Sequence, residues 1–158
     1  MELSARAIER RLAREPRALL ATLRRDGGAA LVPIVFARAG DALWSPVDAK
    51  PKQSAALARL VNIAREPRVA LLLDHYDADW SLLWWLRIGG VANALHAESE
   101  ASAPAGFARA AAALRAKYPQ YGVTALFQGE PTLLRIEIER VTSWAASPAA
   151  MALAEEAP

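Results

Sequence analysis

The chain has 158 residues, 54% apolar and 23% charged, which is enough for one domain with a substantial core and too apolar for a disordered segment. Its 19 Lys and Arg are interleaved with 17 Asp and Glu for a formal charge of +2, so no basic block points to nucleic acid. The lack of cysteine excludes disulfides, thiolate nucleophiles and cysteine-based metal sites. No apolar run approaches the roughly 20 residues that cross a bilayer, and the start Met-Glu-Leu-Ser lacks the order of a secretory signal, so the cytoplasm is the expected compartment.

Ser4 is placed to cap a short helix that carries Ile8 and Leu12 on one side and stops before Glu15-Pro16. Arg6, Arg10 and Arg14 share a face of it, read as a solvated stripe paired with Glu2 and Glu9 rather than a polyanion contact. Ala18–Arg24 and Ala30–Phe36 are strand-like runs around the hairpin signal Asp26-Gly27-Gly28, and Gly40-Asp41 separates the second run from Leu43-Trp44-Ser45. Three consecutive antiparallel strands, a meander, are therefore expected. Pro33 confines its strand to an edge, a bulge or an opening in the ladder.

Helical spacing then runs from Lys52 to Arg65, stopped by Glu66-Pro67. Val69–Leu73 reads as a buried strand and Asp74–Asp79 as a polar turn. A long run from Leu82 to Ala94 follows, with Gly89-Gly90 marking a bulge or bend. Pro104–Lys117 is an alanine-rich helix, Tyr118–Gly122 a loop and Thr132–Arg140 an alternating last strand. The tail 147–158 is expected to be loose, leaving one domain over residues 1–146. This element order predicts a mainly β fold, a small antiparallel barrel with helices over its openings.

The chemistry-bearing stretch is Trp44-Ser-Pro-Val-Asp-Ala-Lys-Pro-Lys52. Two ammonium groups and the free amides of a helix start would converge there, as a phosphate requires, although lysines beside a proline at a helix start are also common solvated surface. The tryptophans of Trp80-Ser-Leu-Leu-Trp-Trp85 are read either as flanking a planar ring or as core and interface anchors. Alternation puts Trp84 and Trp85 on opposite faces, so both cannot stack on one ring. His75 is read as a turn histidine bonded to its acidic neighbours ahead of a general acid, and His96 as exposed. Asp74, His75, Asp77 and Asp79 lack a second ligand group at suitable spacing, so no metal is expected.

Taken in order, Ala30-Leu-Val-Pro-Ile-Val-Phe-Ala37, Val47–Lys52, Asn62–Tyr76, Asp79–Trp85 and Lys117-Tyr-Pro-Gln-Tyr121 resemble the pyridoxamine 5'-phosphate oxidase-like, FMN-binding split barrels, and within them the branch that depends on the deazaflavin coenzyme F420. The resemblance spans roughly residues 5–146. It implies a homodimeric split β-barrel with a cofactor, coenzyme F420 or alternatively FMN, at each of two sites on the subunit interface. It also implies an oxidoreductase moving hydride to or from a small organic substrate; the alternative is a non-catalytic flavin, haem or tetrapyrrole carrier on the same barrel.

Carried over by position, Val32, Pro33 and Ile34 run beside the ring, Ser45 lies near the ring or ribityl chain, and Lys50 and Lys52 hold the phosphate with Ser54 as a further donor. Trp85 contacts the cofactor, Trp80 and Trp84 wall the pocket or build the interface, and Trp144 is an aromatic near the domain's end. Arg87 or Arg135 supplies a charge to substrate or to an acidic cofactor tail, and Arg59 could line a channel for that tail. Val32 stands where the true pyridoxamine-phosphate oxidases carry an arginine, and their substrate-binding Arg/His pair is not evident near Arg135, which disfavours vitamin B6 oxidation. The resemblance implies no nucleic acid or membrane partner.

Overall fold

A computed structural model describes residues 1–47, 53–127 and 129–156, with residues 53–57 described as backbone only. Seven strands, β1 (Ala18–Leu23), β2 (Ala29–Ile34), β3 (Ala37–Ala39), β4 (Ala42–Pro46), β5 (Arg68–His75), β6 (Trp84–His96) and β7 (Thr132–Ala145), form one antiparallel sheet ordered β2-β1-β5-β6-β7-β4-β3. Four helices accompany it: α1 (Ala5–Arg14), α2 (Gln53–Arg65), α3 (Ala105–Lys117) and α4 (Pro148–Glu155). No described helix is long and apolar enough to cross a membrane.

β2 and β3 are consecutive in the chain yet occupy opposite edges of the sheet, joined only by Val35 and Phe36. So short a link reaches about 11 Å at most, so the two edges must curl toward each other, and the sheet becomes a split barrel. The expected three-strand meander is corrected accordingly: β1 pairs with β2 and β3 with β4, but β2 never pairs with β3. Pro33 does lie on an edge strand, opposite Leu19. The backbone of Phe36, outside every ladder and fully buried, is satisfied by one side chain. The Tyr118 hydroxyl accepts from Phe36 N–H (3.0 Å) and donates to Phe36 C=O (2.8 Å).

Both hairpins turn at glycines with positive φ, Gly27 at +81° and Gly40 at +66°, a conformation other residues rarely adopt. Between β6 and β7 the register shifts at Gly89/Gly90, and the extra residue is Glu139 on β7, opposite the glycine pair. Gly90 permits the close approach, since a Cβ there would stand 2.0 Å from the Glu137 carbonyl oxygen.

The inner face of the sheet packs Leu20, Leu71, Leu73, Leu86, Ile88 and Ile136 against α1, α2 and α4, and a second cluster sits under α3 around Phe107, Leu114 and Leu133. Ser4 caps α1, accepting from Ala7 N–H, and the helix ends at Arg14 as expected. The tail expected to be loose instead forms α4. Ser147 caps it, accepting from Ala149 and Ala150 N–H, Pro148 opens it, and Ala150 and Ala154 are fully buried. Arg11 locks α4 to α1: its Nε donates to the Ala154 carbonyl (2.9 Å), its Nη2 to the Glu156 carbonyl and its Nη1 to Glu15 (2.8 Å). A guanidinium on the last carbonyls of a helix answers both their unmet hydrogen bonds and the dipole.

Candidate functional site

Helices α1, α2 and α4 cover the inner face of the sheet and α3 the outer face of β3 and β4, and the outer face of β1, β5, β6 and β7 carries the candidate site. Pairing sets two rows across it. Asp74, Trp85 and Trp144 stand side by side on β5, β6 and β7, and beside them lie Leu72, Arg87 and Thr142. A cavity of about 350 Å³ opens there between Asp74, Tyr76, Leu83, Trp85, Arg87 and Trp144. Arg87 is held in place: its Nε donates to Thr142 Oγ1 (3.2 Å) and its guanidinium lies 5.5 Å from the centre of the Trp85 ring. The Asp74 carboxylate has no hydrogen bond or ion pair among the described residues. Trp144 keeps 39% of its surface exposed and Tyr76 77%.

Trp84 points the other way, as alternation requires, and is 3% exposed in the core. The Arg11 guanidinium sits 5.5 Å from its ring centre and the His75 ring lies nearly parallel at 6.3 Å. Trp84 Nε1 and His75 Nε2 are both buried without a hydrogen-bond partner among the described residues. The nearest acidic group, the Asp77 carboxylate, is 3.7 Å from His75 Nε2, so the expected bond from this turn histidine to its neighbours is not made. His96 is exposed and meets Thr132 Oγ1 at 2.9 Å.

The remaining residues singled out in the sequence lie elsewhere. On the edge strand β2, Val32 and Ile34 turn into the core, while Pro33 and Leu31 face outward. β2's free edge offers backbone groups that no strand takes up. Ser45 on β4 is 1% exposed, and its Oγ has no hydrogen-bond partner among the described residues. Arg59 of α2 donates to the Pro46 carbonyl (3.2 Å), where the chain leaves β4. Lys50 and Lys52 lie outside the described residues, as does the side chain of Ser54.

Trp80, 71% exposed, begins a 3₁₀ turn over Trp80–Leu82 and does not line the cavity. Hydrogen bonds from the Ser81 side chain and N–H hold Asp79, which caps that turn, below the usual carboxylate range. Arg135 is engaged with Asp41 and Glu137. Among the described residues no group of three or more His, Asp or Glu could hold a metal ion.

The structure thus brings together Trp85, Arg87 and Trp144 and leaves Val32–Ile34 and Ser45 apart from them. Along the outer face, Pro33, Leu19, Leu72 and Arg87 are successive cross-strand neighbours, so Pro33 and Arg87 stand three strand spacings, about 14 Å, apart. Sequence reasoning missed Arg11, although its spacing of four from the buried Ala7 puts it on the inward face of α1. It also missed the Tyr118 pin and the place of Asp74 beside Trp85, for which no local signal exists.

The profile of the pyridoxamine 5'-phosphate oxidase family matches residues 4–145. No curated protein matches the chain in sequence. Among solved structures, it is similar to a conserved hypothetical protein, Rv2991, from Mycobacterium tuberculosis (22% identity, 91% of this chain and 86% of that one, TM-score 0.66). It is also similar to HutZ, a haem storage protein from Vibrio cholerae (17% identity, 92% and 95% covered, TM-score 0.62). An FAD-binding protein from Mycobacterium smegmatis is a third likeness (18% identity, 91% and 98% covered, TM-score 0.57). At such identities the structural likenesses carry the fold, a PNPOx-like split barrel. With nearly the whole described chain inside the matched region, the protein belongs to the pyridoxamine 5'-phosphate oxidase family.

Proposed function

We propose that this chain is a homodimeric oxidoreductase binding coenzyme F420, with FMN the alternative, and moving hydride to or from a small organic substrate. The observation that carries the reading is the separation of two half-sites on one outer face. The free edge of β2 lies at one end and Trp85, Arg87 and Trp144 at the other, about 14 Å apart. Among the described residues no wall faces the edge of β2, so a second copy laid across this face would set β2 of one chain against Trp85 of the other. Leu31 on the same face, 68% exposed, adds apolar area for such an interface.

The donor set fits a phosphate-bearing flavin-like ring. Ser45, 1% exposed on the core-facing side of β4 opposite Leu134, is not among the donors offered to it. Arg59 stands where the chain enters the lysine segment, and the backbone of β2 can meet a ring edge. When bound, the cofactor supplies the hydride chemistry. The chain's part is to hold the cofactor ring along the edge of β2, with Trp85, Arg87 and Trp144 of the facing copy on its substrate side. Val32 packs against the core and Arg135 is tied to acidic neighbours, so pyridoxamine phosphate is not proposed as the substrate.

A second reading, a haem or tetrapyrrole carrier, is favoured by the likeness to the haem storage protein. Parallel titrations of the purified protein with F420, FMN and haemin, alongside sedimentation analysis of its mass, test both. Tight F420 binding to a dimer, with turnover of an electron acceptor, supports the reductase; haemin binding without turnover supports the carrier; a monomer that binds none overturns the proposal. Lys50→Ala with Lys52→Ala is expected to weaken cofactor binding in a salt-dependent way, and unchanged affinity would remove the phosphate corner.

A further inference from the structure

We infer that the cavity at Asp74, Trp85 and Trp144 is the substrate end of this site, and that it selects a flat heteroaromatic ring bearing an amidine-type edge, a ring nitrogen beside an exocyclic amine. The inference rests on the oxidoreductase reading above. The cavity, about 350 Å³, has room for one bicyclic ring and is mostly apolar, walled by Leu72, Leu83, Trp85 and Trp144 with Tyr76 at its mouth. Among the described residues neither Trp85 nor Trp144 stacks on another aromatic ring, so each keeps a face for a planar guest.

Its polar groups give the direction. Asp74 is half-buried, has lost part of its hydration and makes no hydrogen bond or ion pair among the described residues. Arg87, the cation on the same wall, makes no ion pair with it among the described residues; its Nε donates to Thr142 and its guanidinium lies over Trp85. The other titratable groups at the rim are His75 and Tyr76, and the His75 Nε2 faces the Asp77 carboxylate at 3.7 Å rather than Asp74. A carboxylate short of donors beside aromatic walls suits such a ring in its protonated form, where the ring N–H and the amine N–H lie parallel in one plane and it can accept both on its two oxygens. A purely hydrocarbon guest would leave Asp74 uncompensated.

Calorimetric titration of the purified protein with 2-aminoquinoline and with 2-methylquinoline, at a pH low enough to protonate both ring nitrogens, tests this, because the two cations differ in the exocyclic donor and hardly in size. Wild type is expected to favour the amine roughly tenfold to a hundredfold, as hydrogen bonds to a charged group allow. The preference should fall to about threefold or less in Asp74→Asn, with a thermal midpoint near that of wild type showing that the variant folds. Equal binding in wild type, or a preference kept by Asp74→Asn, overturns the inference. F420 and FMN titrations of the same samples separate the two proposals. Cofactor binding without amine preference removes only the substrate assignment. Amine preference without cofactor binding keeps the ring pocket and removes the oxidoreductase.

Discussion

Tyr118→Phe removes a single oxygen and tests how the barrel is held closed. The Tyr118 hydroxyl meets both polar groups of the Phe36 backbone at 2.8 and 3.0 Å, at the point where the chain passes from one sheet edge to the other. Phe36 is 0% and Tyr118 7% exposed, so water has little access when the oxygen is lost. Each buried group left without a partner costs about 1–3 kcal/mol, so the pair together should cost roughly 2–5 kcal/mol. At about 2–4 °C per kcal/mol for a chain of this size, the midpoint should fall by roughly 5–15 °C in a calorimetric scan. Urea unfolding should show a lower midpoint with an unchanged slope. Tyr76→Phe, at an exposed position, is the control and should leave the midpoint nearly unmoved. A fall of less than about 2 °C in Tyr118→Phe, well under that expectation, would refute the view that this phenol pins the crossover.

Gly90→Ala would put a Cβ 2.0 Å from a backbone oxygen, so it should destabilise by about 3 kcal/mol or more, whereas Gly89→Ala, with its nearest contact at 3.9 Å, should be tolerated. Parallel denaturant curves check this. Burial pulls Lys117 down to about 8, against an ordinary lysine value near 10.5, with Glu15 opposing the shift. Between those values the unfolded chain binds more protons than the folded one, so the penalty for burying the ammonium is full below pH 8 and is lifted as pH rises to 10.5. The stability of wild type relative to Lys117→Met should therefore climb between pH 8 and 10.5, and a flat difference across urea curves in that window would contradict it. Tyr118, pushed up to about 12 by burial, acts in the opposite sense above pH 10, as the unfolded phenol ionises first. Arg11→Met leaves the last carbonyls of α4 unmet and should speed hydrogen exchange across 148–156 well before the sheet opens.

Much of this molecule was written locally. Ser4 capping a helix that stops at Glu15-Pro16, glycine turns at Gly27 and Gly40, Pro33 on an edge and Trp84 opposed to Trp85 each follow from a few neighbouring residues, because caps, turns and alternation depend on short-range geometry. The resemblance of the ordered motifs carried the family and the split barrel. The same local logic fell short at the tail. Ser147-Pro148 was a legible helix start, yet whether an alanine-rich segment of eight residues stays helical depends on packing, here against α1 through Arg11.

Tertiary structure alone decided the rest. Where β2 and β3 part to opposite edges after two residues, the Phe36 backbone between them is satisfied by Tyr118, some eighty positions along the chain. That Asp74, Trp85 and Trp144 share one row follows from strand register between segments up to seventy residues apart, and a slip of one residue would send every one of them to the other face. The sequence by itself determined the caps, the glycine turns and the alternation of side chains along each strand. Which of them meet was decided by pairing and closure, because the contacts that select a register form only once distant strands lie side by side.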